Sequence, residues 1–177
     1  MSPLLARYVE LLRRYPAPVN ATTGFFIAST GDVAAQVWEQ REQHHEVCVE
    51  IDAGRTVNLG LIRLAVISPF ISFWYPFLAF RFSKLWKKVL FDQIFGAPLV
   101  ISTVFLANSL LRDGAIPSLE KMKTDGFAAW SIGLRYWPLV HCITFGLLPL
   151  RHQQLFAHLA SVPWMAVLSH HSTRSKG

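Results

Sequence analysis

Apolar residues gather into four stretches of about the length a helix needs to cross a bilayer, roughly 20 residues. They cover 19–38, 57–80, 88–111 and 126–150, and each is broken by one or two prolines, glycines or charged residues. Interrupted stretches of this kind suit a bundle in which neighbouring helices, rather than lipid, meet the polar groups. A fifth apolar stretch, 155–168, is short for a span and holds Pro163. It predicts a short C-terminal helix over 152–169, interfacial or re-entrant. Ahead of the first span, Leu4, Leu5, Tyr8, Leu11, Leu12 and Tyr15 recur at helical spacing, with Arg7, Arg13 and Arg14 on other faces. That pattern predicts an amphipathic helix over 1–16 lying at the headgroups.

Charges between the stretches orient them. The N-terminal segment is basic, the first loop is acidic through Glu39, Glu42, Glu46, Glu50 and Asp52, and the second is basic through Arg81, Lys84, Lys87 and Lys88. The third is balanced, and Arg151, Arg174 and Lys176 follow the fourth stretch with no acid. With four crossings every basic segment falls on one side, as the positive-inside rule requires. A fifth crossing would carry Arg174 and Lys176 to the other side. The expected fold is therefore all-α: a single membrane domain over 1–177, four transmembrane helices, both termini on the basic side.

Composition agrees with this reading. Hydrophobic residues make up 52% of the 177 and charged residues 16%, too few to clothe a water-soluble globule of this size. Mean hydropathy is +0.32. The 13 Phe, 6 Trp and 4 Tyr exclude a solvated coil. The net charge of +6 is better matched to anionic lipid at the basic loops than to nucleic acid. Two cysteines, Cys48 and Cys142, lie too far apart for a CxxC site, and His44-His45 and His170-His171 read as solvated imidazoles. No nucleophile elbow, P-loop, zinc-protease or dinucleotide motif is present, so neither an enzyme nor a cofactor is expected.

Chemistry concentrates in ionisable residues inside the spans: Asp32, Arg63, Asp92 and Arg135. Charges at such depth normally face a bundle interior or a wet cavity. Topology puts Asp32 and Arg63 at similar depth, so that they are expected to pair, with Arg135 somewhat deeper in the same half. Asp92 starts its span on the basic side, within reach of Lys84, Lys87, Lys88 or Arg151. Gln36, Gln93 and His141 add donors and acceptors, and Gln36 shares a helix face with Asp32. Pro69, Pro98 and Pro138 each interrupt a span and free a carbonyl one turn earlier. The polar set reads either as a path through the bundle or as struts that fix helix register. Trp74, Trp86, Trp130, Trp137 and Trp164 sit mostly near span ends, as anchors in aromatic belts.

These motifs resemble the family of the mitochondrial protein Mpv-seventeen and the peroxisomal membrane protein of twenty-two kilodaltons, over nearly the whole chain. Tyr8 and Pro16 fit its N-terminal spacing, with Leu5 where tryptophan is usual. Gly31-Asp32 and Gln36 match its Gly-Asp-x-x-x-Gln motif. Pro69 and Trp74-Tyr75 match a second motif in which Ser68 and Ser72 replace Gly and His. Lys88, Asp92-Gln93 and Pro98 match a third. Trp137-Pro138, Phe145, Pro149, Trp164 and Leu168-Ser169 match the C-terminal signature, with His141, Thr144 and Gln153 in place of Gln, Asn and Arg.

The resemblance implies a four-span protein of the mitochondrial inner membrane or, alternatively, the peroxisomal membrane, linked to pore-like passage of small solutes. With Arg63 and Arg135 as anion contacts, the leading expectation is a channel for small, anionic metabolites, alone or as a homo-oligomer. The alternative is an accessory structural subunit of a respiratory-chain or ATP-synthase complex that has lost its pore. The departures at polar positions favour that alternative.

Overall fold

The computed structural model describes residues 3–43 and 50–174, and among these every regular element is helical. Helix α1 (Pro3–Arg14) is amphipathic, buries Leu12, and is held to the next helix by a 3.3 Å hydrogen bond between the Tyr8 and Thr23 hydroxyls. Tyr15 separates it from α2 (Pro16–Gln43). Proline disfavours helical backbone in the residue before it and is well placed in a first turn. The break therefore falls where Pro16 dictates.

Asp52 caps α3 (Ala53–Ile62) by accepting from the Arg55 N–H at 2.8 Å, satisfying a donor that the helix cannot. A five-residue π-turn, Arg63–Ile67, joins α3 to α4 (Ser68–Arg81) without a break. The next rod repeats the design: α5 (Leu85–Phe91), a π-turn over Asp92–Gly96, then α6 (Ala97–Asp113). Ser118 caps α7 (Leu119–Leu147), and α8 (Leu150–Arg174) completes the bundle. Two continuous rods, Ala53–Arg81 and Leu85–Arg112, are long and apolar enough to cross a membrane. At 1.5 Å per residue each exceeds the roughly 30 Å of a hydrocarbon core.

The packing is the reverse of a water-soluble protein's. Asp32, Gln36, Asp92, Gln93, His141, Thr144, Gln154 and His158 are buried, whereas Phe26, Phe73, Phe80, Phe127 and Leu139 are exposed. An outward apolar face around an inward polar one places this chain in a bilayer.

The C-terminal segment differs from expectation. Instead of a short helix over 152–169, α8 extends over Leu150–Arg174 and packs along α2, with further contacts to α4 and α7. It turns Gln153, Gln154, Ala157, His158, Ser161 and Trp164 inward. Small and polar residues every three or four positions make one face of α8 a polar stripe, which mean apolarity does not register. Cys48, His44, His45, Glu46 and Lys176 lie outside the described residues.

Gly24 sets the closeness of α2 to this helix. A Cβ there would lie 2.9 Å from two His158 ring atoms and 2.9 Å from Ser68 Oγ. Gly24→Val is therefore expected to push α2 off α4 and α8, at about 1–3 kcal/mol. A lower thermal midpoint of the detergent-purified protein would register this, and an unchanged midpoint would contradict the close packing.

Candidate functional site

Two buried polar networks occupy opposite ends of one cavity. The first joins α2 to the start of α3. Arg55 Nε lies 2.9 Å from Asp32 Oδ1, while its two terminal nitrogens donate to both Glu39 oxygens at 2.9 and 3.0 Å. This forked contact is the strong form of an arginine–carboxylate pair. Asp32 Oδ2 accepts from Gln36 Nε2 and from the Thr56 hydroxyl, both at 2.7 Å. Gln36 Oε1 in turn accepts from the Asp52 N–H at 2.7 Å. Gln36 and Asp32 do share a face, but the expected Asp32–Arg63 pair does not form. Arg55, which the apolar pattern leaves in the first loop, takes that place because α3 begins at Ala53 and carries residue 55 into the bundle.

The second network surrounds Asp92 at the head of its π-turn. Trp74 Nε1 donates to Oδ1 at 2.7 Å, and Gln93 Nε2 donates to Oδ2 at 3.2 Å. His141 Nδ1 lies 2.9 Å from Oδ2. Trp130 Nε1 donates to the Gln93 carbonyl at 2.9 Å, tying α7 to the same turn. Asp92 thus pairs with none of Lys84, Lys87, Lys88 or Arg151. Those four lie near the basic-side surface, whereas the π-turn directs Asp92 toward α4 and α7. Trp74, Trp130, Trp137 and Trp164 correspondingly line the cavity instead of facing outward. Trp86, 59% exposed, keeps an outward position.

Gly96 makes room for the Trp74–Asp92 bond, since a Cβ there would lie 2.7 Å from both Asp92 Oδ1 and Trp74 Nε1. The prolines explain the turns. Pro69 and Pro98 lack the N–H that would close an ordinary helical turn, and each stands one intervening residue beyond a π-turn in which an i→i+5 bond is made instead. Ser68 N–H reaches the Arg63 carbonyl, and Ala97 N–H reaches that of Asp92. Pro138 lies within α7, with no such turn assigned there.

Between the networks lies a cavity of about 650 Å³, enclosed by α2, α3–α4, α5–α6, α7 and α8. Its lining runs from Glu39, Arg55 and the exposed Arg112 to Asp92, Gln93 and His141. At that end Tyr75, which also lines the cavity, packs with Leu78 and Phe145 in an apolar core, joined by Phe82 and Phe91. Arg63 lines the cavity midway. Arg135 does not line it; it is exposed on α7. It lies two residues from the inward Gly133 and Trp137, on another face of the helix.

A third polar cluster, missed from sequence, joins α4 to α8. Gln154 Nε2 donates to the Ser68 carbonyl at 2.9 Å, Ser72 Oγ donates to Gln154 Oε1 at 2.9 Å, and Ser68 Oγ lies 3.3 Å from His158 Nε2. The polar stripe of α8 at 154, 158 and 161 was the available signal.

A model of the Mpv17 / PMP22 family matches residues 117–169. The chain is 30% identical over 164 residues to the Mpv17-like protein of Bos taurus, covering 88% of this chain and 77% of that one. It is 24% identical over 176 residues to Peroxisomal membrane protein 2 of Bos taurus, covering 93% and 87%. It is 29% identical over 129 residues to the mitochondrial inner membrane protein Mpv17 of Drosophila melanogaster, covering 68% and 76%. No solved structure matches.

Trp74→Phe keeps the ring against Phe70, Phe77 and Phe91 while deleting the donor to Asp92. A loss of about 1.5–3 kcal/mol is expected, the range for a hydrogen bond to a charged group. Thermal unfolding in detergent checks it, and a midpoint equal to the parent's would mean that Asp92 does not depend on this bond.

Proposed function

The chain belongs to the Mpv17 / PMP22 family and is a membrane protein, and from that premise we propose that it passes small metabolites through its bundle in a channel-like manner. One observation carries the reading: a cavity of about 650 Å³ reaches from the exposed Arg112 to the buried Asp92–His141 pair. The size falls within the range of small-molecule sites. The cavity serves as the vestibule, and the Asp92, Gln93, His141 and Tyr75 cluster is the constriction to be opened on the basic side.

We place the protein in the mitochondrial inner membrane, the location in the name of the Drosophila relative, with the peroxisomal membrane as the alternative suggested by the bovine one. Four spans remain the proposed topology. The exposed Arg81, Lys84 and Lys87 are proposed to meet anionic headgroups. The accessory-subunit alternative draws no support from these relatives.

Passage rather than catalysis is proposed. Ser68 and His158 do form a serine–histidine contact, but both are fully enclosed, and His158 Nδ1 has no partner among the described residues. An orienting third group, which such a pair requires, is thus missing there.

In planar-bilayer recordings, Asp92→Asn is expected to change conductance or open probability, because it removes the charge on which three donors converge. Arg135→Ala should leave the currents at parental values. Parental currents in folded Asp92→Asn, or altered currents in Arg135→Ala alone, would refute this assignment.

A further inference from the structure

The charged groups of the cavity are not equally occupied. Arg55 is engaged by two carboxylates and Asp92 by three donors. Arg63 lines the same cavity, yet among the described residues it has no hydrogen bond and no carboxylate within ion-pair distance. Tyr75 and His158 are close enough to interact with its charge, and neither is an acid that would be ionised at neutral pH. Ten residues from Ala53, it sits about 15 Å along the rod from its first residue, with its side chain turned into the cavity.

We infer that Arg63 is a recognition point for a small organic carboxylate with an apolar body, bound in the cavity with its carboxylate on the free guanidinium. The inference deepens the proposed passage by naming its solute class. Four features select that chemistry. The guanidinium presents a planar fork of N–H donors, the geometric match of a carboxylate. Phe70, Trp74, Trp137 and Trp164 line the same space and offer apolar faces to the rest of the ligand. Arg63 is the one interior arginine of the lining with no carboxylate in ion-pair contact among the described residues, and its single charge matches a monoanion. A phosphate group carries about −1.5 to −2 at pH 7 and would remain undercompensated here. A cationic solute is disfavoured at Asp92, whose oxygens already accept Trp74, Gln93 and His141.

The backbone supports the same assignment. Arg63 opens the π-turn that Pro69 closes off, as Asp92 opens the one before Pro98. Both turns begin at a cavity-facing charge, and π-turns within α-helices frequently mark functional positions.

The test is titration of intrinsic tryptophan fluorescence in the detergent-purified full chain. Benzoate is the probe; benzamide, its neutral analogue, and inorganic phosphate are the comparisons. Saturable quenching by benzoate is expected, with no saturable response to benzamide or phosphate over the same range. Arg63→Met, unbranched and apolar, should weaken benzoate binding by about tenfold or more. Arg63→Lys, which keeps the charge and loses the fork, should fall between. No saturable response in the parent, equal binding by Arg63→Met of native size and helicity, or equal affinity for phosphate would each overturn the inference. If Arg63→Met does not fold, an unweakened Arg63→Lys overturns it equally. Binding in detergent needs no passage: benzoate bound through Arg63 in a chain that carries no current would sink the passage and leave this site standing.

Discussion

A carboxylate inside an apolar bundle is tolerated only if donors surround it, and Asp92 is one of two places where this chain meets that demand. Its two oxygens draw on Trp74 from α4, on Gln93 beside it, and on His141 from α7. Removing water leaves no substitute for any of these, so three rods must arrive at one point together. Trp74 can arrive only because residue 96 is glycine, and the Gln93 carbonyl is held by Trp130 because the π-turn turns it toward α7. The placement of α4, α5–α6 and α7 follows from satisfying one side chain. His141 and Asp92 are each about 6% exposed, which leaves bulk water little part in that solvation.

Asp32 repeats the logic at the other end with a different partner set. Arg55 bridges Asp32 and Glu39 while Gln36 and Thr56 complete the shell, and so α2 is clamped to the first turn of α3. Between the two clamps the helices stand apart enough to leave the cavity. Proline then does more than kink. Pro69 and Pro98 each follow a π-turn whose first residue is a cavity-facing charge, so a missing backbone donor and an inward-turned side chain are two results of one local rearrangement. His141 matters here too, since the family pattern has glutamine there, and histidine still supplies a nitrogen to Asp92.

The all-helical class and the burial of Asp32, Gln36, Asp92, Gln93 and His141 are legible from spacing, because apolar length and interior charge are local properties of the chain. Partner identity is not. Asp32 was matched to Arg63 on estimated depth, but depth fixes only the coordinate along the helix, while the choice between residues 55 and 63 turned on rotation and on a cap at Asp52. Arg135 was misassigned for the same reason: two residues separate it from inward neighbours, and a helix turns by about 200° over that step. The extent of α8 was hidden because its interior face is polar, so a criterion of apolar length underestimates it. The tryptophans were read from distance to span ends, which carries no information about which way an indole N–H points.

The account rests on the cavity being wet and entered from the end marked by Glu39 and Arg112. Cysteine accessibility measures this directly. In a background lacking Cys48 and Cys142, single cysteines at Val104 on the cavity lining and at Leu78 in the apolar core would be exposed to a membrane-impermeant thiol reagent, in vesicles of defined orientation. The account predicts rapid labelling at position 104 from the acidic-loop side, slow labelling there from the basic-loop side, and none at position 78. Equal protection of both positions from either side would contradict it, because the cavity would then be a dry packing defect and not the entrance to a pathway.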